Sequence, residues 1–147
     1  MVTLLRDLIK VRSLLAFTGD RLVEHLGLTS AKWNILIAID EAESPQPVAW
    51  LARNMAAHRQ NVQRIINELE QDGIVAFKAN PHHRQAQLVV LTEKGKKQLA
   101  AAEQLQTREV NAFAKGLAIQ DIETARSVVL DLRHKLEAWR ARYMNGG

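Results

Sequence analysis

Residues 59–73 read RQNVQRIINELEQDG, from Arg59 to Gly73. Val62, Ile65, Ile66 and Leu69 fall at i, i+3, i+4 and i+7, the spacing that lays apolar side chains along one face of an α-helix. On the other side lie Gln60, Gln63, Arg64 and Asn67, side chains able to hydrogen-bond base edges or phosphate oxygens, with Glu68 the acid on that flank. Gly73 follows as a residue suited to the left-handed conformation that ends a helix. Such a helix either shows a solvated face to water or offers that face to a DNA major groove. Periodicity alone leaves both open.

The neighbouring residues favour a polyanion. The chain has 147 residues and a formal net charge of +4. Between Val48 and Lys97, eight Lys and Arg stand against four Asp and Glu, so the whole excess lies in the third of the chain that holds this helix. Localised positive charge raises both affinity and on-rate for nucleic acid. There is no cysteine, which excludes a thiolate nucleophile, Cys-based zinc sites and disulfides and fits a cytoplasmic protein. No apolar run approaches the roughly 18 residues of a membrane span.

Working outward, Val48 to about Met55 forms a short helix, and Ala56-Ala57-His58 turns it into the helix at Arg59, giving a helix-turn-helix pattern. Glu41 to Pro47 reads as a loop. Before it, a mostly apolar helix runs through Trp33, Leu36, Ile37 and Ile39, with Thr29 or Ser30 as N-cap. Thr3 to about Leu26 is a long helix whose Leu4, Leu8, Val11, Leu15, Thr18 and Leu22 make an apolar stripe. After Gly73, Ile74–Lys78 and Gln87–Leu91 are β-branched-rich strands of a hairpin with a polar tip at Ala79–Ala86, whose basic residue can reach a minor groove. Thr92 caps a helix running to about Lys115. The last helix, about Gln120 to Tyr143, carries Ile122, Ala125, Val129, Leu132, Leu136, Trp139 and Tyr143 as a heptad seam that calls for another helix. Asn145-Gly146-Gly147 reads as a disordered tail.

Leu28-Thr29, Trp33, Leu36, Leu51-Ala52, Val62, Leu69-Glu70, Gly73-Ile74-Val75, Asn80-Pro81 and Leu91-Thr92-Glu93-Lys94-Gly95 together resemble the MarR (multiple antibiotic resistance regulator) family. The resemblance spans nearly the whole chain. It implies a mainly α fold with six helices and a small β-hairpin wing. Residues 30–94 would form a winged helix-turn-helix DNA-binding lobe, and residues 1–27 and 95–147 a helical dimerisation region. It further implies a homodimer that binds palindromic operators on double-stranded DNA, acts mostly as a repressor, and is released by small aromatic or anionic effectors.

Two places depart from the family. The wing usually carries Asp-x-Arg where this chain reads His83-Arg84-Gln85, so Arg84 as a minor-groove residue is a hypothesis of its own. His58 stands where Ser or Thr usually caps the recognition helix, and imidazole caps poorly. The DNA-facing set is therefore His58, Arg59, Gln60, Asn61, Gln63, Arg64, Asn67 and Arg84. Arg64 and Gln60 are expected on bases, with phosphate contact or mere exposure as the alternative, and Arg59 and Asn61 on phosphates. Phe17, Trp33 and Trp50 are candidates to line an effector cavity, with core packing as the ordinary role of Trp33. The five histidines lack acidic partners at ligand spacing, so no metal or other cofactor is expected. No catalytic motif is present, which argues against an enzyme. A winged-helix protein-interaction module that binds no DNA and a metal-responsive repressor are the alternatives.

Overall fold

A computed structural model of the chain describes residues 1–145. Its helices are α1 (Val2–Val23), α2 (Ser30–Asp40), α3 (Val48–Asn54), α4 (Arg59–Gln71), α5 (Glu93–Phe113) and α6 (Ile119–Asn145), with a short 3-10 turn at Glu24–Leu26. Strands β1 (Gln46–Pro47), β2 (Val75–Lys78) and β3 (Leu88–Leu91) form an antiparallel sheet in the order β1-β3-β2. The fold is thus mainly helical with a small sheet, the winged helix-turn-helix expected from the sequence. Asn145, expected in a disordered tail, is the last residue of α6, and Gly146-Gly147 lie outside the described residues.

The chain separates into two units, Met1–Arg108 and the remainder from Glu109. In the first, Ile35, Leu36, Leu51, Val62, Ile66, Leu69, Val75 and Val89 are fully buried and come from α2, α3, α4 and the sheet. All four apolar residues of the α4 stripe belong to this core. Each large aliphatic side chain so buried contributes about 1.5–3 kcal/mol, which outweighs the polar composition of α4 and fixes its rotation about its own axis. In the second unit α6 keeps its seam exposed at Ile122, Val129, Leu136 and Trp139, and Trp139 stacks on Tyr143 with ring centroids 4.9 Å apart.

Local chemistry sets the element ends. The Thr29 hydroxyl accepts from the Lys32 N–H, so Thr29, not Ser30, is the cap of α2. Ser30 is buried instead. Its hydroxyl donates to the Ala16 carbonyl at 2.6 Å, its N–H donates to Asp20 Oδ1 at 2.6 Å, and Gly19 leaves room for it against α1. Helix α4 ends with Gly73 N–H on Glu70 O and Ile74 N–H on Leu69 O, Gly73 at φ +70°. Helix α3 ends in the same pattern, Ala56 N–H on Arg53 O and Ala57 N–H on Ala52 O, but its left-handed residue is Ala56 at φ +52°. Glu41–Pro47 is not entirely a loop. Gln46 and Pro47 pair with Val89 and Leu88, at a sheet edge where a missing N–H is tolerated.

The tightest junction lies where α4, β2 and α5 meet. The Thr92 hydroxyl donates to Gly73 O at 2.7 Å, with Ile74 O at 3.0 Å, and accepts from the Gly95 N–H at 3.1 Å. Lys94 Nζ donates to Asp72 O at 2.7 Å. Gly95 is buried, and a Cβ there would overlap the Ile74 carbonyl oxygen. Gly95→Ala gains at most about 1 kcal/mol of helix propensity. Its clash is with backbone that cannot move without parting β2 from α5. We expect a net loss of roughly 1–3 kcal/mol, read as a lower thermal midpoint with unchanged helix content.

Candidate nucleic-acid interface

With Val62, Ile65, Ile66 and Leu69 turned inward, the opposite face of α4 is turned out. Arg59, Gln60, Asn61, Arg64 and Asn67 are exposed, and Gln63 is half-buried. Arg59, Gln60, Gln63, Arg64 and Asn67 line one shallow surface together with Glu68 and Gln71. The structure therefore gathers Arg59, Gln60, Gln63, Arg64 and Asn67 on a single face, with Asn61 outside that surface and tied to it through Arg64. Beside it, a cleft of about 290 Å³ separates Arg59, Gln63, Asn67 and Glu70 from Phe77, Gln85 and Gln87 of the hairpin, with Pro47 and Val48 at its edge.

The side chains on this face are not free rods. Gln63 Nε2 donates to Asn67 Oδ1 at 2.9 Å. Arg64 donates from Nη1 to Glu68 Oε1 and from Nη2 to Asn61 Oδ1. Glu68 also faces Lys32 of α2, whose Nζ lies 3.6 Å from Glu68 Oε2 and 3.3 Å from Asp72 Oδ2. Reading the sequence missed Lys32, because no periodicity within α2 announces a partner that arrives from α4.

The hairpin tip is shaped by Asn80. Its Nδ2 donates to Ala86 O at 2.9 Å and its Oδ1 accepts from the His82 N–H at 3.0 Å, closing the loop in the manner of an Asx turn. His82, His83 and Arg84 are exposed on the closed tip and do not line the cleft beside α4. Among the described residues, no group of three or more His, Cys, Asp or Glu side chains converges to hold a metal.

The aromatic candidates are dispersed. Trp33 is buried in the core, Phe17 is 67% exposed on α1, and Trp50 is half-buried on α3 against the core. Neither surface beside α4 includes any of them. Among the described residues, the buried polar atoms Trp33 Nε1 and Gln98 Oε1 have no hydrogen-bond partner, although the other end of Gln98 donates to Leu26 O at 2.9 Å.

A polar-faced helix entered through a tight turn and flanked by an antiparallel hairpin defines a winged helix-turn-helix protein. The comparisons with known proteins agree: a MarR family model matches residues 26–86. An uncharacterized protein of Mycobacterium tuberculosis is 35% identical over 98 residues, 67% of each chain. The transcriptional activatory protein BadR of Rhodopseudomonas palustris is 36% identical over 81 residues, 54% of this chain and 46% of BadR. CouR of Rhodococcus jostii RHA1, solved bound to p-coumaroyl-CoA, superimposes with a TM-score of 0.75 at 18% identity, covering 85% of this chain and 87% of CouR. The chain belongs to the MarR family of transcription regulators. No helix among the described residues is long and apolar enough to cross a membrane.

Helix α4 starts without a side-chain cap. His58 has extended backbone and its carbonyl accepts from the Val62 N–H, but its side chain accepts no bond from the first turn, and that turn contains no acidic residue. His58→Ser supplies the missing acceptor, and we expect it to stabilise the fold by about 0.5–1 kcal/mol, visible as a rise of a few degrees in the thermal midpoint.

Proposed function

We propose that the protein is a homodimeric repressor that binds a palindromic operator through α4 and is released by a small aromatic or anionic ligand. The observation that carries the DNA-binding part is the outer face of α4, where Gln60, Gln63, Arg64 and Asn67 stand together over a fully buried apolar face. In this reading residues 30–94 are the DNA-binding lobe, and residues 1–27 and 95–147 the dimerisation region. The exposed apolar residues Leu4, Ile9, Val11 and Leu15 of α1 and Ile122, Val129, Leu136 and Trp139 of α6 support a second subunit as their cover. A two-fold dimer presents its two recognition helices to major grooves one helical turn apart, roughly 34 Å, with the wings over the flanking minor grooves. A ligand that alters that spacing releases the DNA. CouR, with its bound acyl-CoA, supports an acidic aromatic effector class. We place the protein in the cytoplasm, with its operator, and assign it no catalytic activity.

The roles divide by position. Arg64 and Gln60 read bases, Arg59 and Asn61 hold phosphates beside His58 at the helix start, and Arg84 reaches the minor groove from the tip. In a shift assay on operator DNA, Arg64→Ala is expected to cost about 1–3 kcal/mol and to relax preference at one base pair per half-site. Equal weakening on all sequences would make it a phosphate contact. Arg84→Ala is expected to make the slope of log affinity against log salt shallower by about one for each phosphate that Arg84 neutralises, and an unchanged slope would take the wing off the DNA. A promoter fusion that loses signal when the gene is deleted would make the protein an activator, as BadR is named, in place of a repressor.

A further inference from the structure

We infer that Glu68 is a positioning residue for Arg64, and that Lys32, a residue of α2 outside the DNA-facing set, sets base specificity by holding Glu68. The inference rests on the reading of Arg64 as a base contact. An exposed arginine loses rotamer freedom when it is fixed on a base, and a guanidinium already aimed loses less. Arg64 is 62% exposed, yet its fork is bracketed along the helix, by Asn61 one turn before and Glu68 one turn after. A solvent-exposed i,i+4 pair alone is too weak to hold such a side chain.

Lys32 changes that balance. Its side chain is 16% exposed, the least exposed of the four charged groups here, and it crosses from α2 to the two carboxylates of α4, Glu68 and Asp72. Glu68 therefore has one oxygen toward Arg64 and the other toward Lys32. The Lys32 ammonium donates to Asp72 Oδ2 and lies 3.6 Å from Glu68 Oε2, so it holds Glu68 by charge attraction while Oε1 keeps the bond to Arg64. Lys32 also offsets the negative charge that Glu68 would otherwise bring close to the phosphates of a bound duplex.

The opposite role, a Glu68 that masks Arg64 until DNA displaces it, predicts the reverse result on mutation. The test is selection of duplexes from a random library by the full chain, followed by sequencing, for wild type, Arg64→Ala, Glu68→Gln, Lys32→Met, Lys32→Arg and the Lys32→Met/Glu68→Gln double variant. Arg64→Ala locates the base pair that Arg64 reads. At that base pair Glu68→Gln is expected to lower discrimination about tenfold, while affinity for random duplex holds or rises because a negative charge is gone. Lys32→Met should show the same loss, Lys32→Arg should keep most of the discrimination, and the double variant should lose no more than Glu68→Gln alone. Thermal unfolding verifies that each variant is folded. If Lys32→Met does not fold, Glu68→Gln and Lys32→Arg decide the matter. Unchanged discrimination in Glu68→Gln would reduce the cluster to a surface ion pair, and increased discrimination would make Glu68 a mask; either overturns the inference while base reading by Arg64 stands. An Arg64→Ala variant with the wild-type profile at every base pair removes the base reading itself, and the inference with it.

Discussion

The Thr92 hydroxyl, seated between the Gly73 and Ile74 carbonyls and the Gly95 N–H, joins three elements at one point. Helix α4 ends there, β2 begins there and α5 starts there. Thr92 caps α5 while binding the carbonyls of Gly73 and Ile74, the residues that carry the chain from the end of α4 into β2. Because Gly95 lacks a Cβ, the first turn of α5 can sit directly against the β2 backbone. The placement of α4 relative to the hairpin is thereby tied by one side-chain hydroxyl and by the close backbone approach that Gly95 permits. A motif that reads in sequence as a strand end followed by a helix cap is in space the hinge pin of the lobe.

Given that anchor, the two faces of α4 have different work. The buried face determines which way the helix is turned, since Val62, Ile65, Ile66 and Leu69 have one core to enter. The outer face inherits its orientation from that packing and contributes little to stability. Its side chains are ordered among themselves, Gln63 with Asn67 and Arg64 with Asn61 and Glu68, and one tie leaves the helix, through Lys32 to α2. Polar residues can therefore be chosen for what they contact outside the protein, with the fold held elsewhere.

What could be read from the chain follows how local each cause is. The faces of α4, the caps Thr29 and Thr92, and the glycine at position 73 are products of residues within four positions of one another, and all stand in the structure as their spacing implied. Strand β1 is two residues long, contains a proline and exists because Val89 and Leu88 arrive from more than 40 residues away. Ala56 takes a left-handed conformation that favours glycine, so nothing about its identity marks the turn. The bond network of Lys32 is likewise tertiary. Arg84 was legible as a basic residue at a hairpin tip, but the closure of that tip by Asn80 was not, since it spans six residues with no periodic signal.

Helix α4 also opens on an unrelieved electrostatic conflict. Its positive dipole end carries Arg59, no acid stands in the first turn, and the His58 side chain provides no acceptor, so no side chain caps its leading N–H groups. An anion arriving at that end would satisfy those donors and relieve the repulsion at once. The heat released on complex formation would then include those bonds, in addition to the contacts made by the side chains of the outer face.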